Sequence, residues 1–595
     1  MPTHLVTANI PALWAGLAEV VTIDGILPSG RHFIQDPGVR ILQNVTSAEV
    51  LSRVTTEEFA EANRAHDELL ESLGRELNRL HGVSRPTRYW LILLGPWLRQ
   101  FSLVVFCRWY TLREVLRRHP DLVARTVDVG PEILTPQSHD EASLMFFTEP
   151  WNAWVYGELL RQMRGDAAVV PVAAEADLGR LAAYRADRHY GLPRGRSWTP
   201  WRRARMRVFA WLNLRARGVV IATVFSPWET LRLFWHLRLV PQVWGSSMGL
   251  SPWTINRSVL ATNALVSGTF ARVVAPLVRW QVPAIYVEGF ADLGRASAEL
   301  RLPRAPRWVF SHNAYLRNDA FKAWAADRAT SAGTRLVGAQ HGGGYGVYLH
   351  VNWPGMHEDA ALDRFHTWGW SREPHHDAVG VQLNRSVTPD PRGGLLLVLG
   401  PLVRMSNNLS LLQCSHIAEQ HAVIDALVDA LPVAIRSRVV LRPKASGPRK
   451  PARARGSDFG RFAKRVEVSD GICTLSEDLS RSRLAVVFYN ETTLPMNLSS
   501  DFPTLALWRE SFTRLAPDAL AHYDALREGG ILHESPESCA RHIAAIWDDV
   551  AAWWDSATTR ASRRGFAETY ARRSEDLVRA TARTLRRNDT GSVTA

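Results

Sequence analysis

The sequence predicts an α/β protein of two doubly wound, Rossmann-like domains, with helical insertions in the first and a helical tail behind the second. Three observations carry that expectation. A chain of 595 residues is longer than one hydrophobic core organises. Short runs rich in β-branched residues alternate with stretches of helical periodicity across short turns, the pattern of parallel strands joined by helices. Val387 to Gly394, with two prolines and two glycines, reads as a linker. The boundaries that follow are an α/β domain at 1–386, the linker at 387–394, a second α/β domain at 395–535, and helices with a tail at 536–595.

Thr55-Thr56-Glu57-Glu58 spells a capping box ahead of a helix that runs to about His81 and closes at Gly82 and Pro86. The most apolar window, Trp90 to Trp109, is broken by Arg99, Gln100 and Arg108. Each charge at a bilayer centre costs about 2.5–3.5 kcal/mol, so the window reads as a buried strand–turn–helix and not as a membrane span. Val219 to Phe225 and Ala284 to Val287 read as buried strands, and Thr334 to Val337 as a short strand ended by Gly338. Beyond the linker, strands are expected at 395–399, 438–441, 484–489 and 504–507, with helices at 416–431 and 476–482. Ala445 to Asp458, rich in Pro, Gly and Arg, reads as a mobile loop, and Pro536 to Arg587 as amphipathic helices.

Composition narrows the class. Apolar residues make up 46% and charged residues 22%, ordinary for a globular protein. The start, Met1-Pro2-Thr3-His4-Leu5, has no basic segment leading into an apolar one, so no secretory signal is expected. Cys107, Cys414, Cys473 and Cys539 stand far apart without a C-x-x-C pair. They suggest neither a disulfide framework nor a thiolate metal site, and fit a reducing, cytoplasmic compartment. The formal charge is +13, carried by arginine apart from Lys322, Lys444, Lys450 and Lys464. Such a surface attracts phosphates, nucleotides and anionic lipids without choosing among them.

The sharpest motif is Ala339-Gln340-His341-Gly342-Gly343-Gly344-Tyr345-Gly346, directly after an expected strand. Open α/β sheets place their ligand crevice at strand ends. Successive glycines let backbone N–H groups approach an anion, so Gln340, Gly342, Gly343, Gly344 and Tyr345 are candidate donor-phosphate contacts. His341 at the loop's mouth is a candidate general base or stabiliser of a leaving phosphate. The same spacing also describes a tight glycine turn around a hydrogen-bonded core histidine. A second constellation, Asn490-Glu491-Thr492-Thr493, follows the strand expected at 484–489. It reads as an anion site at a helix N-terminus, or as an ordinary N-cap. Arg442 and Lys444 end another strand and are suited to phosphate, one as a fork and one as a point charge; Arg404, after Gly400-Pro401, is a weaker candidate of the same kind. Glu288 in Val287-Glu288-Gly289 is a second candidate base, or a cap for the next helix.

Two further patterns carry less. His350, His357, His366, His375 and His376 show no His-x-x-x-His helical pair, and His357-Glu358 lacks the second histidine of a zincin, so no metal is expected. Arg194 to Arg217 holds eight arginines interleaved with Trp198, Trp201, Phe209 and Trp211. It reads as a solvated amphipathic helix or as a peripheral face for anionic lipid; no nucleic-acid module accompanies it.

Several of these segments together resemble a transferase family encoded in bacterial O-antigen and surface-carbohydrate clusters. The likeness is carried by Leu94-Gly95-Pro96-Trp97-Leu98, by Ser311-His312-Asn313-Ala314-Tyr315 with Phe321-Lys322-Ala323-Trp324, and by the Gln-His-Gly loop. It continues through Thr367-Trp368-Gly369-Trp370, Tyr489 to Thr493, Phe502-Pro503-Thr504, Trp553-Trp554 and Phe566 to Tyr570, and so spans nearly the whole chain. More distantly the chain is similar to capsule Kdo transferases and polyol-phosphate polymerases. Related families carry Arg-x-His-Pro where this chain has Arg442-Pro443-Lys444, without the histidine. The resemblance implies a GT-B-like arrangement with donor and acceptor in a cleft between two domains. It implies transfer of a sugar from a nucleotide-activated donor, a co-substrate and not a cofactor, to a glycan or polyprenyl-linked acceptor. Polyol-phosphate transfer, or a carbohydrate- or lipid-binding scaffold without turnover, are the alternatives. Peripheral contact with an anionic membrane at its cytoplasmic face fits the same reading, and a nucleic-acid partner does not.

Overall fold

The computed structural model describes residues 3–174, 214–242, 253–260, 266–381, 387–444, 459–469 and 472–590. Most of the arginine-rich segment 194–217 and all of the loop expected at 445–458 lie outside the described residues.

Three sheets, parallel throughout, organise the chain. The first holds β1 (His4–Val6), β2 (Glu19–Ile23), β3 (Arg40–Val45), β4 (Val123–Val127) and β5 (Val169–Val172) in the order β3-β2-β1-β4-β5. The second holds β6 (Gly218–Ile221), β7 (Trp308–Ser311), β8 (Arg335–Ala339), β9 (Arg364–Thr367) and β10 (His376–Ala378) in simple sequential order. The third holds β11 (Gly394–Val398), β12 (Val439–Arg442), β13 (Glu467–Val468), β14 (Ser482–Val487), β15 (Thr504–Leu507) and β16 (Leu532–His533). Its order, β13-β12-β11-β14-β15-β16, is the doubly wound arrangement with its switch point between β11 and β14. The run Leu395 to Leu399 shows why. Leu395, Leu397 and Leu399 enter one core and Leu396 and Val398 the other, so both faces are covered and the strand reads as continuous apolar sequence.

The helices used below are α1 (Thr56–His81), α2 (Thr87–Arg118), α3 (Pro227–Leu237), α4 (Asp319–Ser331), α5 (Trp353–Ala361), α6 (Ile417–Ala430), α7 (Thr493–Ser499), α8 (Pro517–Glu528) and α9 (Leu577–Thr590). The capping box at Thr55 and Glu58 forms as its sequence requires, and Gly82 ends α1 at φ +63°. Over Trp90 to Trp109 the expectation of a strand–turn–helix is corrected: α2 is one 32-residue helix with Pro96 inside it. By length and composition α2 could cross a membrane, but 94% of its apolar window is buried within the fold. The interrupting charges find polar partners there. Arg99 reaches Asn63 and Asp67, and Arg108 donates to Asn152, Asn407 and the Ser406 carbonyl.

Two smaller expectations also change. Ala284–Tyr286 is a 3-10 turn behind Pro283 and not a strand. Gly338 lies inside β8 and does not end it; a Cβ there would sit 2.2 Å from Leu362 Cδ1, so the glycine answers to packing. The C-terminal helix α9 returns to the second sheet, where Val578, Ala582 and Leu585 pack with Val220, Trp308, Phe310, Val337 and Ala339.

Candidate functional site

The carboxyl ends of β8 and β14 meet. Gln340 continues β8 by donating its N–H to the His366 carbonyl at 2.8 Å. Its side chain then pins the turn: Oε1 accepts from Trp368 N (3.0 Å) and Trp370 Nε1 (2.9 Å), and Nε2 donates to the Gly342 carbonyl (2.9 Å). Gln340 is 1% exposed with both polar atoms engaged, so the expectation that it contacts donor phosphate gives way to a positioning role.

The glycines serve a close approach between two backbones. A Cβ on Gly343 would lie 2.5 Å from both Glu491 C and Thr492 N, and Gly343 N–H donates to Thr492 Oγ1 at 3.0 Å. Gly344 sits at φ +83° against the Glu491 carboxylate, where a Cβ would come 2.9 Å from Oε1. An open anion cradle is therefore not what Gly343 and Gly344 form. Gly342 is half-buried, with Thr492 Oγ1 3.5 Å from its ideal Cβ position, and leaves room beside it.

The facing turn is equally bound. Tyr348 OH donates to the Asn490 carbonyl, and Tyr523, on α8, donates its hydroxyl to Asn490 Oδ1 at 2.7 Å. Asn490 Nδ2 is buried without a partner. Thr493 is 4% exposed with its hydroxyl 2.6 Å from Tyr489 OH, and α7 spans seven residues with no side-chain cap from Thr492. The expected anion site at this helix start is thus reduced to what Glu491, Thr492 and Lys444 present. Lys444 is exposed and holds Nζ 5.7 Å over the Tyr489 ring.

His341 is the side chain around which the loop closes. Tyr345 OH donates to Glu358 Oε2 at 2.7 Å, so its oxygen, 2.9 Å from His341 Nε2, accepts the proton on that nitrogen. Glu358 Oε1 lies 3.4 Å from the same nitrogen, and Glu358 is fully buried. Burial lowers the His341 pKa, but the Glu358 carboxylate and, after it, Glu491 outweigh burial and hold it above its usual 6.5. Burial pushes the Glu491 carboxyl up to about 7, against the pull of Lys444 and His341. A histidine whose charged form is favoured and a carboxyl raised to about 7 therefore share one junction, an arrangement suited to proton transfer. Tyr345 is 5% exposed and its phenol is pushed well above 10 by burial and Glu358, so it orients His341 and stays protonated.

The other candidates stand elsewhere. Arg442 pairs with Asp478 and donates to the Cys473 carbonyl at 2.9 Å. Arg404 bridges to Glu149 and to the carbonyls of Thr7 and Asp24 at the ends of β1 and β2. Glu288 accepts from Asn256 N at 3.0 Å, lies 3.4 Å from Arg257 Nε, and does not cap the helix after it. None of the three is brought into the hydrogen-bonded cluster around the loop.

Sequence reasoning missed Glu358, considered only as part of a metal motif. It reaches the loop from α5, and no spacing announces that contact. Trp368 and Trp370 were legible as a motif without a role; they hold Gln340.

Among the described residues one histidine group converges on a carboxylate. His375 Nε2 and His376 Nε2 lie 2.9 and 2.6 Å from Asp359 Oδ1. His376 Nδ1 accepts from Arg372 N (3.1 Å) and Glu373 N (3.2 Å), so its proton is on Nε2. That nitrogen donates to Asp359 and has no lone pair for a cation, so the group does not fit a metal site.

Comparison with known proteins gives distant structural likeness. MurG of Acinetobacter baumannii is similar at 9% identity over 62% of this chain and 99% of its own, with a TM-score of 0.31. A mutant O-GlcNAc transferase of Thermobaculum terrenum is similar at 13% identity over 91% of this chain and 97% of its own, with a TM-score of 0.30. TarM is similar at 9% identity with a TM-score of 0.30, over 48% of this chain and 55% of TarM, so the chain spans about half of TarM's length. A search of the curated proteins found no match. The family model described as LIC12162 family transferase matches residues 27–585, nearly the whole length, and the chain belongs to that transferase family.

Proposed function

We propose that the chain transfers a glycosyl unit from a nucleotide-activated donor to a bacterial surface polysaccharide or O-antigen precursor, at the junction of β8 and β14. The observation that carries this reading is His341, 3.4 Å from the Glu358 carboxylate, on a glycine loop packed against the Glu491–Thr492 turn where two parallel sheets meet at their carboxyl ends. Membership of a transferase family supports group transfer, and the junction supplies the groups it needs. An acceptor hydroxyl attacks the anomeric carbon and its proton passes to the Glu491 carboxylate. The bond from that carbon to the nucleotide phosphate breaks, and the electron pair leaves on the phosphate oxygen. His341, on the enclosed loop, and the exposed Lys444 stabilise that developing charge. The donor enters as co-substrate, and no resident cofactor or metal is assigned. The acceptor is a glycan, free or polyprenyl-linked, met at the cytoplasmic face of the membrane.

The test is a thermal-shift screen against CMP-, CDP-, UDP- and GDP-linked sugars, followed by turnover of whichever stabilises. A ligand at about 100 times its dissociation constant stabilises by roughly 2.7 kcal/mol. Binding with release of nucleotide supports the proposal. A chain that neither binds nor consumes any nucleotide sugar, with or without acceptor, overturns it.

A further inference from the structure

The helix α3 is apolar on two faces. Leu233, Phe234 and Leu237 are buried against the second sheet and α9. On the other side Trp228, Leu231 and Trp235 are exposed at 70%, 47% and 82%. At 100° per residue these three fall within an arc of roughly 60°, a stripe of two indoles and a leucine pointed at solvent. Scattered single apolar residues on a surface need no explanation, but a stripe of large side chains on one helix does.

What flanks the stripe identifies what covers it. Helix α9 lies beside α3 on the same face of the sheet, for both contribute to the cluster over Val220, Trp308 and Phe310. Their outer sides therefore look the same way. Along α9, Val578, Ala582 and Leu585 face the sheet, while Arg579, Arg583, Arg586 and Arg587 are exposed. The acidic groups between the helices are already engaged. Asp576 pairs with Arg232 at 2.9 Å and caps α9 through Arg579 N, and Glu229 closes the capping box with Ser226. Exposed indoles beside a row of guanidinium groups suit the boundary between anionic headgroups and acyl chains. Tryptophan there lodges its apolar ring with its N–H toward water, and arginine extends its head to phosphate. A second copy fits less well, because a self-complementary contact sets the two arginine rows against each other.

We propose that the α3–α9 face is a peripheral membrane-docking surface for a bilayer bearing anionic phospholipid, with Trp228, Leu231 and Trp235 entering the headgroup layer and Arg579, Arg583 and Arg586 engaging its phosphates. The inference is independent of the reaction assigned to the β8–β14 junction. It gives the exposed tryptophans a partner of stated chemistry, and it turns the α3- and α9-covered face of the second sheet toward the membrane surface.

The experiment is flotation of the full chain with vesicles of phosphatidylglycerol and phosphatidylcholine, against vesicles of phosphatidylcholine alone. The chain floats with the anionic vesicles and is released by high salt. Trp228→Ser with Trp235→Ser lowers partitioning at least ~10-fold. Arg583→Ala with Arg586→Ala lowers it by about five-fold per removed charge. Trp228→Phe with Trp235→Phe retains most of it. All of these positions are exposed, and an unchanged thermal midpoint confirms that each variant is folded. Equal binding to both vesicle types, or full binding by the folded Ser and Ala variants, overturns the proposal. So does a wild-type dimer in solution that the Ser variant converts to monomer.

Discussion

Nε2 of His341 stands 3.4 Å from Oε1 of Glu358, a fully buried carboxylate that reaches the glycine loop from a separate helix. Tyr345 bridges them, giving its proton to the carboxylate and taking a hydrogen bond from the imidazole. Burial by itself favours a neutral ring; the carboxylate reverses that, and His341 titrates above 6.5. The loop thus holds its histidine toward the charged form, against the effect of burial.

Glu358→Gln tests that relationship. The amide keeps the shape and still accepts from Tyr345, but removes the charge that raises His341. If the imidazolium is the active form, turnover falls as pH rises through its pKa, and the variant shifts that alkaline limb to lower pH. A pH–rate profile with the alkaline limb unmoved would sink the assignment. The stability consequence has a definite sign. A histidine raised above 6.5 on folding contributes stability that is complete below about 6.5 and is lost as pH rises through the folded value. Glu358→Gln therefore destabilises the fold more under mildly acidic than under alkaline conditions.

Glu491 has the opposite linkage. Its carboxyl is raised from 4.5 to about 7, so ionising it opposes folding once the pH exceeds the unfolded value. The penalty is absent below about 4.5 and complete above about 7. Glu491→Gln is expected to raise the thermal midpoint at pH 8 by the equivalent of on the order of 3 kcal/mol, and to leave it unchanged near pH 4. The same variant should lose turnover by at least ~10²-fold if the carboxylate takes the acceptor proton. A variant that is stabilised yet fully active would keep the electrostatics and refute the role.

The glycines separate packing from chemistry. Gly343→Ala forces a Cβ to within 2.5 Å of the Glu491 and Thr492 backbone, which cannot move as a side chain would. A loss of about 1–3 kcal/mol in chemical denaturation, with loss of turnover, is expected from parting the two turns. At Gly342 the nearest atom to a new Cβ is 3.5 Å away, so Gly342→Ala should fold with wild-type stability. Equal destabilisation by both variants would show that the loop does not dock as described.

How much of this was legible depends on whether the signal was local. The strands of the third sheet were, because Leu395 to Leu399 and 484 to 489 are buried on both faces and read as unbroken apolar runs. Both loops at the junction were found for the same reason, since each follows a strand end. Trp90 to Trp109 read as strand–turn–helix because Arg99, Gln100 and Arg108 interrupt its apolar run, yet it is one helix. In the fold Pro96 is simply carried inside the helix, and Gly95 admits His357, whose ring would lie 3.0 Å from a Cβ there. Glu358 was illegible as a site residue because its meaning comes from α5 packing against α2, a tertiary contact with no sequence period. Gln340 was misassigned because an amide beside glycines suggests a ligand, whereas Trp368 and Trp370 consume it.

His341 is the residue on which turnover should most depend. It is the one histidine of the loop, it is 22% exposed at the side chain where Glu358 and Tyr345 are enclosed, and its proton is held on the nitrogen they surround. His341→Ala is expected to lower transfer by at least ~10²-fold while nucleotide binding, assigned to Lys444 and the Thr492 turn, persists. His341→Gln divides the possible roles. Its amide can still donate to Tyr345 but carries no charge, so it should fail as badly as alanine if the imidazolium stabilises the leaving phosphate. Substantial rescue by glutamine would instead mean that hydrogen bonding alone suffices, and the argument from Glu358 would lose its catalytic meaning. A folded His341→Ala variant that transfers sugar at the wild-type rate would remove His341 from the reaction and leave Glu491 as its only proton carrier.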